Sequence, residues 1–206
     1  MNKLLDILLF PKSLYNRLSD KTPAVIPGVI LVGFIDLGAF FINGGFGVLY
    51  KGKSPETIAY NFVIALVTLV LIGFIDIMFF TLPLYDLFKH FKREGTRDKN
   101  ARDSIVRFLK VYIVVHLWLV PIYILFFAVS GYSFTPGLTL LAYIMFFIAE
   151  ALPIWLSAAI TRGVNVIYNF TLLFKRFVFI IVLIWSFLLS FALEYMLKHW
   201  VMVLFK

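Results

Sequence analysis

The chain has 206 residues, 62% hydrophobic and 15% charged, with a mean hydropathy of +0.97 and a formal net charge of +8. Soluble domains average roughly 45–50% apolar residues, so this composition, 18% aromatic, excludes an ordinary soluble protein and fits lipid and its interface. The absence of Cys removes disulfides, thiolate metal centres and cysteine nucleophiles together.

Residues 1–22 form an amphipathic segment. The apolar run in MNKLLDILLF is short, is broken by Asp6 and meets Pro11 without a small-residue cleavage site, which predicts a retained N-terminus rather than a signal peptide. Leu5, Leu8 and Leu9 recur at helical spacing, and beyond Pro11 the pair Leu14 and Leu18 begins a second apolar face opposite Ser13, Asn16 and Arg17. The expected arrangement is an interfacial helix pair with Lys3, Lys12, Arg17 and Lys21 toward lipid headgroups. Five later stretches reach the roughly 20 apolar residues that a helix rising about 1.5 Å per residue needs to cross a hydrocarbon core about 30 Å thick. They are residues 23–49, 59–82, 111–129, 138–160 and 177–197. A barrel would alternate polar and apolar residues, whereas these runs are solidly apolar, so the expected class is all-α. Residues 23–206 are read as a polytopic membrane domain of five transmembrane helices with a basic loop at 83–110.

The basic residues fall on alternate connections. Lys89, Lys92, Arg93, Arg97, Lys99, Arg102, Arg107 and Lys110 lie between the second and third stretches, and Arg162, Lys175 and Arg176 between the fourth and fifth. The other side holds only Lys51, Lys53, Lys198 and Lys206. By the positive-inside rule the N-terminus is cytoplasmic and the C-terminus outside, in a cell membrane. Charge that sets topology needs no nucleic acid, and none is expected as a partner. Lys89, Lys92, Arg93, Arg97, Lys99 and Arg102 are candidates for contact with anionic lipid headgroups.

Ionisable groups in hydrocarbon are costly, about 2.5–3.5 kcal/mol for Asp on insertion scales, so Asp36, Asp76, His116 and Glu150 each need a reason. Counted from the predicted inner ends, Asp36 lies about 18 Å deep and Asp76 about 9 Å, with His116 and Glu150 in the same half. The expectation is one polar pocket in which His116 and Glu150 point toward one another or toward Asp36, opening to the cytoplasm with Arg162 at its mouth. The preferred reading of these groups is hydrogen-bonded packing between helices, ahead of a proton or cation path. GFIDLGAFF at 33–41 is echoed by GFIDIMFF at 73–80, a short repeat on antiparallel helices whose two carboxylates, at those depths, do not mirror well. Glu194, four residues before Lys198, is explained by an i to i+4 pair. Pro83, Pro121 and Pro153 mark kinks or span ends.

No HExxH, no Ser–Lys pair at membrane depth and no phosphate loop is present, and His90, His116 and His199 lie at three levels. The sole geometric possibility for a metal is His116 with Glu150 and Asp36, which no spacing signature supports, so no catalytic residue, metal or cofactor is expected.

Five spans, an amphipathic N-terminus and one long basic inner loop resemble the Yip family of Rab-interacting-type membrane proteins, in its bacterial and archaeal branch. The likeness is carried by ILLFPKSLYNRL at 7–18, EGTRDKNARDSIVRFLKVY at 94–112 and ITRGVNVIYNFTLLFKRFVFIIVL at 160–183. A GYSxxP match at 131–136 falls in an outer loop and is accidental by position. The resemblance implies a non-enzymatic scaffold that binds other membrane proteins, an accessory to export or membrane trafficking, with a homo-oligomer possible. The alternative from the residues themselves is a small ion or proton-coupled transporter or channel using the inner-half carboxylates.

Overall fold

The computed structural model describes residues 6, 9–44, 46–91, 100–130 and 139–205, which are mostly helical and, among these residues, contain no strand. In chain order the elements are α1 (Lys12–Arg17), α2 (Val25–Gly44), α3 (Gly47–Tyr50), α4 (Pro55–Lys89), α5 (Ala101–Leu117), α6 (Leu119–Ser130), α7 (Thr139–Tyr168) and α8 (Leu172–Met196). A π-helical turn (Leu197–Val201) and a 3₁₀ turn (Met202–Leu204) continue α8. Among the described residues, three helices are long and apolar enough to cross a membrane, at 55–89, 101–125 and 172–204, and 25–41 is a shorter apolar helix. Large apolar side chains stand exposed on α2, α4, α7 and α8: Phe34, Leu66, Phe79, Phe147 and Phe191.

Local sequence explains most boundaries. Ser54 caps α4 by accepting from the Thr57 amide at 3.3 Å, and Pro55 occupies the first turn, where its missing N–H costs nothing. Pro83 does not end α4 as the expected span limit at residue 82 implied. Leu84 and Phe88 beyond it are buried in the core, and that packing holds the last two turns. Pro121 does interrupt its helix. It cannot donate to the Leu117 carbonyl, and the chain breaks at Trp118 between α5 and α6.

The bundle is organised by a glycine crossing. A Cβ on Gly33 would collide with the Leu69 carbonyl oxygen, and one on Gly73 with the Val29 carbonyl oxygen and, at 2.6 Å, with the Gly33 nitrogen. α2 and α4 therefore touch backbone to backbone, the close approach that small residues permit between helices in lipid. They run in opposite directions. Val29, before Gly33, shares a cluster with Ile77 and Phe80, after Gly73, while Leu37 and Phe41 pack with Leu69, Ala65 and Ile64.

At the end of the bundle where α1, α7 and α8 meet, aromatic rings fill the space. Tyr168 stacks on Phe170 at 5.4 Å, Phe88 meets Phe170 edge-on at 5.6 Å, and Phe108 lies beside both Phe88 and Tyr168. Asn169 between them adopts a left-handed φ of 48°, a conformation Asn tolerates, and this reverses the chain from α7 into α8. α1 is docked rather than free: Tyr15 is wholly buried, and its hydroxyl donates to the Ala159 carbonyl at 2.9 Å. Burial pushes the Tyr15 phenol up, so it remains a donor. Gly163 makes room, since a Cβ there would stand 2.8 Å from the Tyr15 ring. Leu14 and Leu18 are half-buried as their spacing predicted, but the anchor is Tyr15, between them.

Candidate functional site

Asp36, Asp76 and His116 come together. They line a cavity of about 130 Å³ with Tyr112, Tyr123, Ser186, Ser190 and an apolar wall that includes Leu152, Pro153 and Leu156. Asp36 follows Gly33 by three residues and Asp76 follows Gly73 by three, so the glycine crossing puts both carboxylates beside one contact. Because the helices are antiparallel, the two groups sit on either side of that contact, separated by about 9 Å along the helix axes. The echo of GFID is thus a local two-fold, with glycine against glycine and the carboxylates mirrored about them. That separation equals the difference of about 9 Å in the depths counted from sequence, with Asp76 nearer the start of α2 and Asp36 farther from it.

The hydrogen bonding of the two carboxylates differs. Tyr112 donates to Asp76 Oδ2 at 2.6 Å, and both residues are buried. Asp36 Oδ2 is buried with no hydrogen-bond partner. Tyr112 is fixed between Phe80, stacked at 4.2 Å, and His116, at 4.0 Å between ring centroids. His116 Nδ1 lies 2.9 Å from the Tyr112 carbonyl, which can only accept, so Nδ1 carries the proton and Nε2 is left as the ring's acceptor. Ser157 donates to Ser186 at 3.2 Å, and Ser186 in turn donates to the Val182 carbonyl.

Asp36, Tyr123, Ser190 and Leu193 also line a larger groove of about 720 Å³, whose far rim is Glu194, Leu197, Lys198 and Met202. The cavity thus shares wall residues with a groove at the end of the bundle that holds the last turns of α8. This reverses the expected opening toward Arg162. Arg162 instead pairs with Asp6 and lines a separate groove beside α1. Glu150 is exposed and lines no part of the cavity. The reason is angular: Leu152 faces the cavity, and Glu150, two residues earlier, points about 200° away around α7. The set His116, Glu150 and Asp36 is accordingly not assembled as metal ligands.

Glu194 and Lys198 form the expected i to i+4 pair, with Oε1 and Nζ 2.6 Å apart. Of the proposed headgroup contacts, Lys89 pairs with Asp86, and Arg102 is exposed at the start of α5. Lys92, Arg93, Arg97 and Lys99 lie outside the described residues.

No family model, curated protein or solved structure matches this chain. The site is therefore read from its own geometry. Tyr112, Ser186 and Ser190 are the residues that sequence reading missed. Tyr112 precedes His116 by four residues and Ser186 precedes Ser190 by four, the spacing that puts two side chains on one helix face.

Proposed function

We propose that this chain is a five-span integral membrane protein that moves protons or small monovalent cations through the Asp36–Asp76 site. α2, α4, the α5–α6 pair, α7 and α8 are the spans, with the N-terminus cytoplasmic, the C-terminus outside, and no enzymatic activity. The observation that carries the reading is Asp36 Oδ2, a buried carboxylate oxygen without a partner, standing where the inner cavity meets the groove. Two carboxylates in one low-dielectric cavity need a proton or a cation to accompany them. A volume of about 130 Å³ holds a few waters or a partly dehydrated cation.

In this reading the ion enters past Glu194 and Lys198 and meets Asp36 first. Asp76, already held by Tyr112, is the second acceptor, and His116 Nε2 is available for a proton beside the pair. Proteoliposomes under an imposed proton gradient test the idea. Flux should fall to background in Asp36→Asn and by at least about tenfold in Asp76→Asn, while Glu150→Gln, outside the cavity, should transport normally. Undiminished flux in Asp36→Asn, or none from the unmodified protein, would overturn transport. The scaffold role implied by the Yip-like architecture would then be the reading that stands.

A further inference from the structure

The groove beside α1 has no part in the ion path, and its chemistry is different. Leu9, Lys12 and Asn16 form one side, and the ends of α7 and α8 form the other through Thr161, Arg162, Asn165, Asn169 and Lys175. Its volume is about 520 Å³. Thr161 is 7% exposed, and its hydroxyl has no hydrogen-bond partner. Arg162 Nε and Asn165 Oδ1 are likewise buried without partners, although Arg162 meets Asp6 through its outer nitrogen. Three cations thus converge with one carboxylate on a groove whose buried polar atoms are unsatisfied. The walls change character with depth: Ala158 lies one turn into α7 from Arg162, and Phe179 one turn into α8 from Lys175, so a cationic rim leads onto an apolar slot.

We infer that this groove binds the phosphate headgroup of an anionic phospholipid, with an acyl chain lying along Ala158 and Phe179. A phosphodiester presents acceptor oxygens to Lys12, Arg162, Lys175 and the Thr161 hydroxyl, all of which can donate. Free phosphate shares that chemistry but has nothing to place against the apolar slot. The inference presumes membrane insertion, yet involves none of the residues of the ion path, so either can fail alone.

The test uses full-length protein in detergent, with native mass spectrometry and thermal unfolding read in parallel. Phosphatidylglycerol, phosphatidylcholine and inorganic phosphate are added separately. One phosphatidylglycerol should bind per chain and raise the unfolding temperature, in preference to phosphatidylcholine, with affinity reduced about tenfold or more in Lys12→Gln/Lys175→Gln. Lys51→Gln/Lys53→Gln removes the same charge at the opposite end and should leave binding unchanged. Equal binding of the two lipids, equal loss in both double variants, or equal protection by inorganic phosphate would each overturn the lipid site. Lys12 is exposed and Lys175 half-buried at the rim, so the first double variant is compatible with folding. Thr161→Ser, which keeps the hydroxyl, should bind as the unmodified protein does, and a loss there would also count against the assignment.

Discussion

The two ends of the helix bundle are built differently. Where α1, α7 and α8 converge, Tyr15, Phe88, Phe108, Tyr168 and Phe170 are almost completely buried and belong to one apolar cluster with Phe80. At the opposite end, a smaller apolar cluster of Leu37, Phe41, Leu49, Leu197, Val201 and Phe205 leaves a groove of about 720 Å³ that reaches Asp36. Both ends surround the same antiparallel pair, α2 and α4, so the difference lies in what fills the space beside it. Bulky aromatics seal one end. Ser190 and the Glu194–Lys198 pair line a groove at the other, and Asp36 stands in its wall, so access to the carboxylates is expected from that side.

The largest effect is expected from breaking the sealed end. Phe88→Ala removes a ring at the centre of the aromatic cluster and should cost about 3–5 kcal/mol, measured by denaturant unfolding in mixed micelles. The glycine crossing comes next. Gly73→Val forces a side chain against the Val29 carbonyl and should destabilise by about 1–3 kcal/mol or more, whereas Gly38→Ala, with open space around its Cβ, should be neutral or stabilise by about 0.5–1 kcal/mol. Thermal melts of the two variants side by side would show whether the crossing or merely glycine content matters.

Tyr112→Phe sharpens the comparison inside the cavity. Loss of the 2.6 Å bond leaves Asp76 as unpartnered as Asp36, for an expected cost of about 1–3 kcal/mol, and flux measured on the same preparation should also change. The smallest effect belongs to the open rim. Glu194→Gln breaks an exposed pair worth about 0.3–0.5 kcal/mol, so unfolding should hardly move, and a large shift would mean that the open end is more tightly held than its exposure indicates.

Much of this molecule can be read from sequence, within a clear limit. Apolar length located the helices, because a lipid-facing helix is apolar all round, and the same uniformity hid which face of each helix points inward. Depth along a helix comes from counting, and it placed Asp36, Asp76 and His116 in one half of the bundle, where they line one cavity. Rotation about the helix does not come from counting, which is why Glu150 was grouped with them although it faces outward. The GFID echo was visible, yet its meaning required the contact between Gly33 and Gly73. Arg162 was expected to serve the polar pocket because its height was right; its partner, Asp6, lies 156 positions away in sequence and is brought near by the docking of Tyr15 against Gly163.

One-sided access to the carboxylates is the claim on which the account depends, and thiol labelling tests it most directly. The chain has no Cys, so single substitutions can be labelled without background. Ser190→Cys stands in the wall shared by the cavity and the groove, and Val164→Cys lies fully buried in the sealed end. In oriented vesicles, a membrane-impermeant thiol reagent should modify Ser190→Cys from the side bearing Lys198, and should leave Val164→Cys unmodified from either side. An inert Ser190→Cys, or a Val164→Cys that reacts as readily, would contradict it.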